Sequence, residues 1–296
     1  MLIPTRILIG ATLFAFLPGL ACAQEATTLP ALREALTFYA PFDEKLDASF
    51  ALGDVTLYAS PSWDQWAHAS QSLPDSTRAR WAKTNGRFGE ALWIDNYEEA
   101  ALFFKGDKNL AYRATDWSGT VSFWLQTAPD EDFKPGEWSD PVQITPRAWD
   151  DAALFVDFTR EDVPRVFRFA AFADTKVWNP GGRNWWELPD SAMSMIRVVN
   201  PPFGRDRWTH VVMTFDRFNT GRPDGVVKAY LDGTFVGALE GLEQTFTWTS
   251  EEETLVRMGL QYVGSIDDLA FFNRALTDDE VKTLHALENG VANLRP

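Results

Sequence analysis

The chain has one cysteine, three histidines and a shortage of basic residues, 27 Lys and Arg against 42 Asp and Glu. It also has no apolar run long enough to cross a bilayer. Its longest, ILIGATLFAFLPGL at 7–20, is 14 residues and is broken by Pro18, whereas a spanning helix needs about 20. Arg6 before that run and Ala21-Cys22-Ala23 after it form the pattern of a cleaved export signal over residues 1–23. Gly19 stands where a lipid-attachment signal requires leucine, so no lipid anchor is expected on Cys22. Cleavage after Ala23 leaves 273 residues without cysteine, which excludes disulfides and leaves stability to the core. Loss of Arg6 leaves 26 basic and 42 acidic residues, a net charge of −16. That balance excludes nucleic acid and anionic membranes as partners, and after cleavage nothing remains to insert into a membrane. It suits a periplasmic or extracellular protein, and its acidic loops suit Ca²⁺.

The missing motifs narrow the chemistry. There is no His-Glu-x-x-His, no Gly-x-Ser-x-Gly, no glycine-rich phosphate loop and no Cys/His zinc spacing. His68, His210 and His285 are scattered, which argues against a transition-metal site and against any required cofactor. His210, near the start of a strand, reads as a satisfied structural residue.

What is present is alternation. TVSFWLQT (120–127) puts Val121, Phe123 and Leu125 on one face, and THVVMTFD (209–216) repeats this with Val211, Met213 and Phe215. VVKAYLDGTFVGAL (226–239) predicts a hairpin turning at Asp232-Gly233. LFVDFT (154–159), VFRFAAFA (166–173) and TLVRMGL (254–260) predict further short strands. One helix is specified: Thr277 and Glu280 form a capping box, Asp278 and Asp279 suit the first turn, Leu276 and Val281 form a staple, and Asn289-Gly290 stops it. Val281, Leu284 and Leu287 are its docking face. The sum predicts an all-β, two-sheet antiparallel sandwich with one short C-terminal helix.

Residues 24–36 carry no periodic signal and read as a linker, and 37–290 read as one domain. Three segments interrupt the strands, at about 59–85, 128–150 and 174–207, and tryptophan concentrates in them. Long loops of this kind are often functional.

The order RWTHVVMTFD, KAYLDGTFVG, GSIDDLAFFNRALTDDEVKTL resembles the LamG-like jelly roll of the concanavalin A-like lectin/glucanase superfamily. FYAPFDE (38–44), GRFGEALWID (86–95) and TVSFWLQT are similar to that family's earlier elements, so the resemblance runs over about 37–288. It implies two face-to-face antiparallel sheets with the first and last strands close together. The three insertions depart from it. The superfamily's glucanases carry Glu-x-Asp-x-x-Glu or a form one residue shorter; neither spacing occurs here.

Strand alternation puts Asp267 with Leu269 and Phe271, and Asp268 with Ile266, Ala270 and Phe272, so the two acids are expected to point apart and not to act as a catalytic pair. The neighbouring termini that the resemblance implies bring Asp43 to Asp268, a pair that could share a structural Ca²⁺. Trp117, Trp124 and Trp208 lie in or beside strands and are expected in the core. The insertion residues Trp178, Arg183, Asn184, Trp185 and Trp186 are the expected contacts, because aromatic faces stack on sugar rings while amide and guanidinium groups bond hydroxyls. Trp138 and Trp149 belong to the same class. The leading reading is a non-catalytic module that binds polysaccharide or another glycan. The alternatives are a polysaccharide-active enzyme whose acids Glu187, Asp190 or Glu137 converge, and an adhesion protein that binds another protein.

Overall fold

A computed structural model describes residues 28–71, 73, 79–82, 86–95, 101–189, 192–249 and 253–295. The predicted signal segment, with Cys22, lies outside them, as does Asp190. The chain folds as the expected sandwich of two antiparallel sheets. The nine-stranded sheet runs β14 (Thr234–Leu242), β13 (Gly225–Leu231), β12 (Thr209–Phe218), β7 (Trp117–Gln126), β16 (Val263–Phe272), β1 (Leu36–Ala40) and β2 (Phe50–Ala51). β5 (Ala91–Asp95) pairs with β16 off that path, and β4 (Ala79–Ala82) pairs with β5. The seven-stranded sheet runs β11 (Met195–Val198), β10 (Phe167–Phe172), β9 (Ala153–Phe158), β8 (Ser139–Thr145), β15 (Leu255–Leu260), β6 (Ala101–Lys105) and β3 (Tyr58–Ser60).

Alternation makes the core. Val121, Phe123 and Leu125 of β7 and Val211, Met213 and Phe215 of β12 face Leu154, Val156, Phe167 and Phe169 of the opposite sheet. Trp117 is fully buried at one end, with Phe215 at 4.5 Å and Trp248 at 5.0 Å between ring centroids. Asp232 and Gly233 turn the β13–β14 hairpin with φ of 49° and 71°, as a type I′ turn requires. The helix at Asp278–Ala286 starts on a complete Thr277–Glu280 capping box and buries Val281 and Leu284.

Three expectations need correction. Residues 28–35 are helical and bury Leu32 and Ala35, so the segment read as a linker is docked on the nine-stranded sheet. The segment 128–150 contains β8, a central strand whose Pro141 and acids masked its pattern, and 174–207 contains β11. Trp124 is buried but lies outside the sandwich, stacked on His210 at 4.7 Å and His285 at 5.3 Å. Trp208 is only half-buried.

Candidate functional site: a tryptophan-roofed groove over the seven-stranded sheet

The outer face of the seven-stranded sheet is unusual for a surface: its polar groups are buried. Asp157 of β9 and Arg168 of β10 stand directly opposite each other in register. Arg168 Nε donates to Asp157 Oδ1 at 2.7 Å and its Nη2 donates to Oδ2, a two-pronged pair with Asp157 3% and Arg168 9% exposed. Buried guanidinium–carboxylate pairs persist where geometry and further contacts offset desolvation, and here Trp138 lies over the Arg168 guanidinium at 4.5 Å. Beside this pair runs a second chain. Arg257 Nη1 donates to Gln143 Oε1 at 3.2 Å, and Gln143 Nε2 donates to Asp140 Oδ2 at 3.0 Å. Burial pushes the Asp157 acid upward against the pull of Arg168. Burial, then the Asp157 charge, holds the Asp140 acid well above the ordinary carboxylate range.

The insertions roof this floor. Trp185 meets Trp149 edge-on at 5.9 Å and Trp138 at 6.2 Å, while Trp149 packs on Phe172 at 5.6 Å. Between roof and floor lie two joined spaces. A deep one of about 300 Å³ is lined by Asp140, Gln143, Asp157, Trp149 and Glu137. An outer one of about 320 Å³ is lined by Trp186, Arg160 and Arg197. Trp138, Trp185, Arg168, Met193 and Met195 border both. Apolar walls with a few fixed polar groups are the usual make-up of a small-ligand cleft.

Of the residues expected from sequence, Trp185 and Trp186 line the groove, and Trp186 keeps 67% of its surface exposed. Trp178 does not line it: its Nε1 donates to Asp150 O at 2.7 Å and its ring meets Phe172 at 4.7 Å, which anchors the loop. Arg183 and Asn184 are exposed and serve the loop itself. Arg183 N–H bonds Asn179 Oδ1 at 3.1 Å, and Asn184 Nδ2 reaches Glu187 Oε1 at 3.4 Å. Glu187 is exposed and does not line either space, whereas Glu137 does. Asp140, Gln143, Asp157 and Arg168 were missed because they sit on strands. Their trace in the sequence is a charge inside an apolar run, as in FRFAAF and ALFVDF.

The acids at the last strand form a different structure. Asp268 has φ of 54° and lies in a register break between Asp267 and Ala270 of β16, a bulge that resets the alternation. The predicted faces therefore shift: Leu269 and Phe271 join Ile266 in the core, and the two acids are held in one cluster rather than apart. Asp267 Oδ2 accepts from Arg87 N–H at 2.6 Å and Phe88 N–H at 3.2 Å. Asp268 Oδ2 accepts from Val291 N–H at 3.0 Å, and the Tyr39 side chain lies beside the same carboxyl. Asp43 Oδ1 accepts from Glu90 N–H at 2.7 Å. These acids thus form a clasp that ties together the first strand, the segment at Val291 and the 86–90 turn. Burial, first, lifts all three: Asp268 to about 7, Asp267 well above the carboxylate range, and Asp43 above its ordinary value. Asp268 Oδ1 has no protein partner. Even so, no group of three or more His, Cys, Asp or Glu side chains is placed to hold a metal ion among the described residues.

His210 is fully buried beneath the C-terminal helix. Its Nε2 lies 2.9 Å from Ser122 Oγ and its Nδ1 is without a partner. Burial holds it well below the ordinary histidine value, so the neutral ring docks the helix through its stack with Trp124 and His285.

A family model for the concanavalin A-like lectin/glucanases superfamily matches residues 145–282, which bears out the resemblance carried by the C-terminal motifs. No curated protein matches the chain in sequence. Among solved structures, the binding domain of botulinum neurotoxin serotype D is 10% identical with a TM-score of 0.55, over 88% of this chain and 52% of that one. The binding domain of botulinum neurotoxin DC in complex with SialylT is 10% identical with a TM-score of 0.53, over 85% and 50%. Domain 4 of a GH43 extracellular arabinanase from Geobacillus stearothermophilus, in complex with arabinotriose, is 16% identical with a TM-score of 0.45, over 84% and 97%. The chain spans about half the length of the neurotoxin domains it matches, and at these identities the likeness is one of fold. Among the described residues, no helix is long and apolar enough to cross a membrane.

Proposed function

We propose that this chain is a recognition module that binds a glycan in the groove over its seven-stranded sheet. One observation carries the reading: exposed Trp186 and half-buried Trp185 and Trp138 border a cleft whose floor is a fixed row of carboxylate, amide and guanidinium groups. Sugars offer an apolar C–H face to aromatic rings and hydroxyls to fixed polar groups, and the groove offers both partners at once. Fold alone does not choose the ligand, since binding domains of this architecture are seen with a glycan and with rat synaptotagmin II.

Titration of intrinsic tryptophan fluorescence with xylohexaose, cellohexaose and arabinohexaose tests it. Saturable quenching that is weakened about tenfold in Trp186→Ala, an effect of about 1.4 kcal/mol, is the expected result. A silent wild type, or a variant that binds like wild type, would sink it.

A second reading has its own support. Glu137, Asp140 and Asp157 line one cleft beside tryptophan, as a polysaccharide-cleaving enzyme requires. Asp157 is committed to Arg168, which leaves Asp140 and Glu137 as the acids available. Release of new reducing ends from any bound oligosaccharide would favour this reading, and intact ligand after prolonged incubation would remove it. For calcium, the support is the partnerless Asp268 Oδ1 within the clasp; ligands beyond Asp43 and Asp268 would come chiefly from backbone carbonyls. Export to the periplasm or beyond rests on the 1–23 segment, and mass spectrometry of the mature N-terminus would check it.

A further inference from the structure

The floor of the groove contains one carboxyl group for which no cation is reserved. Ser139 of β8 pairs with Phe158 of β9 and Val142 with Val156, so Asp140 and Pro141 together face the single residue Asp157. This bulge turns Asp140 onto the same outer face as Gln143 and sets it beside Asp157. Proline suits the bulge because it has no N–H to give to the ladder. Both oxygens of Asp157 are already engaged by Arg168. Arg257 holds the oxygen of the Gln143 amide, so the amide must present its NH₂ group to Asp140. The charged groups around Asp140 are therefore Asp157 and Arg168 on β9 and β10, Arg197 on β11, Arg257 on β15, and Glu137 just ahead of β8. With each of these arginines turned to another group, a charge on Asp140, 7% exposed, would be buried next to a like charge.

We propose that Asp140 works as a neutral carboxylic acid at the bottom of the groove, donating a hydrogen bond to an oxygen of the bound ligand and so selecting an acceptor at that point. Gln143 and Arg257 are positioning residues: Arg257 orients the Gln143 amide, which occupies one oxygen of Asp140 and leaves the other to the ligand. This inference rests on the glycan-binding reading of the same groove. Burial and the Asp157 charge both favour the protonated acid. Binding that needs the proton is strongest in acid and falls as pH rises through the Asp140 titration, above the ordinary carboxylate range.

The test measures affinity for the same three hexaoses at about pH 5 and about pH 8 in wild type, Asp140→Asn and Asp140→Ala, with a melting curve of each protein at each pH. Wild type is expected to bind about tenfold more weakly at the higher pH. Asp140→Asn keeps a donor that does not titrate, so it should bind equally at both; Asp140→Ala, without a donor, should bind weakly at both. Wild-type binding that ignores pH, or an asparagine variant that follows the wild-type curve, overturns the role of Asp140 while leaving glycan binding intact. A variant that fails to fold shifts the decision to the wild-type pH curve alone. Wild type that binds none of the three at either pH overturns the glycan reading and this inference together.

Discussion

Asp268→Asn gives the sharpest account of the clasp. The folded chain holds the Asp268 proton to about 7 where an ordinary aspartate lets go at 3.8, and the side chain is 2% exposed. An acid that binds its proton more tightly when folded stabilises the fold below its unfolded value, and that contribution is lost as pH rises through the folded value. The displacement is worth about 4 kcal/mol in all, and about 2.5 kcal/mol of it is lost between about pH 5 and about pH 7.5. Asparagine keeps an oxygen for the Val291 N–H and removes the charge. The stability of Asp268→Asn relative to wild type should therefore improve by about 2.5 kcal/mol over that interval. Asp267 reinforces the effect, since the neighbouring Asp268 charge raises its acid too. The histidines act the other way: His210 and His285 are held below 6.5, so their contribution is present above that value and lost as pH falls through their folded values. Both proteins contain them, so the difference cancels them. Urea unfolding followed by tryptophan fluorescence at the two pH values reads the result. A constant gap between variant and wild type would refute the buried-charge argument. Calcium at the higher pH extends the experiment: if the clasp holds a cation through Asp268, calcium raises the wild-type midpoint and not that of the variant.

Other consequences can be checked in the same assay. Arg168→Ala leaves Asp157 buried without its cation and strips Trp138 of its stacked partner, so a loss of about 3–5 kcal/mol is expected, and a loss under about 1 kcal/mol would contradict the pairing. Gly290→Ala should cost more than about 2 kcal/mol, because φ is 57° and the added carbon would lie 2.5 Å from Asp268 Oδ2 and 2.6 Å from the Phe88 ring. Trp186→Ala should leave the urea midpoint unchanged within about 0.5 kcal/mol, since that ring is largely exposed; a larger loss would make it a structural residue rather than a platform.

The architecture was legible in the sequence wherever side chains alternate without interruption, as in TVSFWLQT and THVVMTFD, and wherever local chemistry closes an element, as at Asp232-Gly233 and Thr277–Glu280. It failed at the same kind of place twice. The bulges at Asp140-Pro141 and at Asp268 each add a residue that alternation cannot anticipate, and each re-aims a buried acid. The roof was half legible: tryptophan density marked 174–207, but Trp178 and Trp185, seven positions apart, differ only in which surface their loops reach. The floor was hidden, because a buried ion pair is made by register between strands, and register is not written in either strand alone. Residues 28–35 show the converse, a polar segment made helical by what it docks against.

The strand that opens the described chain is interior to its sheet, flanked by β16 and β2. Thr37 Oγ1 bonds Phe271 O across 234 positions, and Arg33 Nε donates to Leu294 O across 261. Contacts of such sequence separation are costly to form and slow folding. That strand stays without its β16 neighbour until residues 234 positions further on are available, so closure of this sheet comes late in folding. Linking the segment at Arg33 to that at Leu294 and reopening the chain at the exposed Gly181-Gly182 would turn the longest closure into a local one, and folding of that permuted chain would gain in speed without any change in the contacts of the folded state.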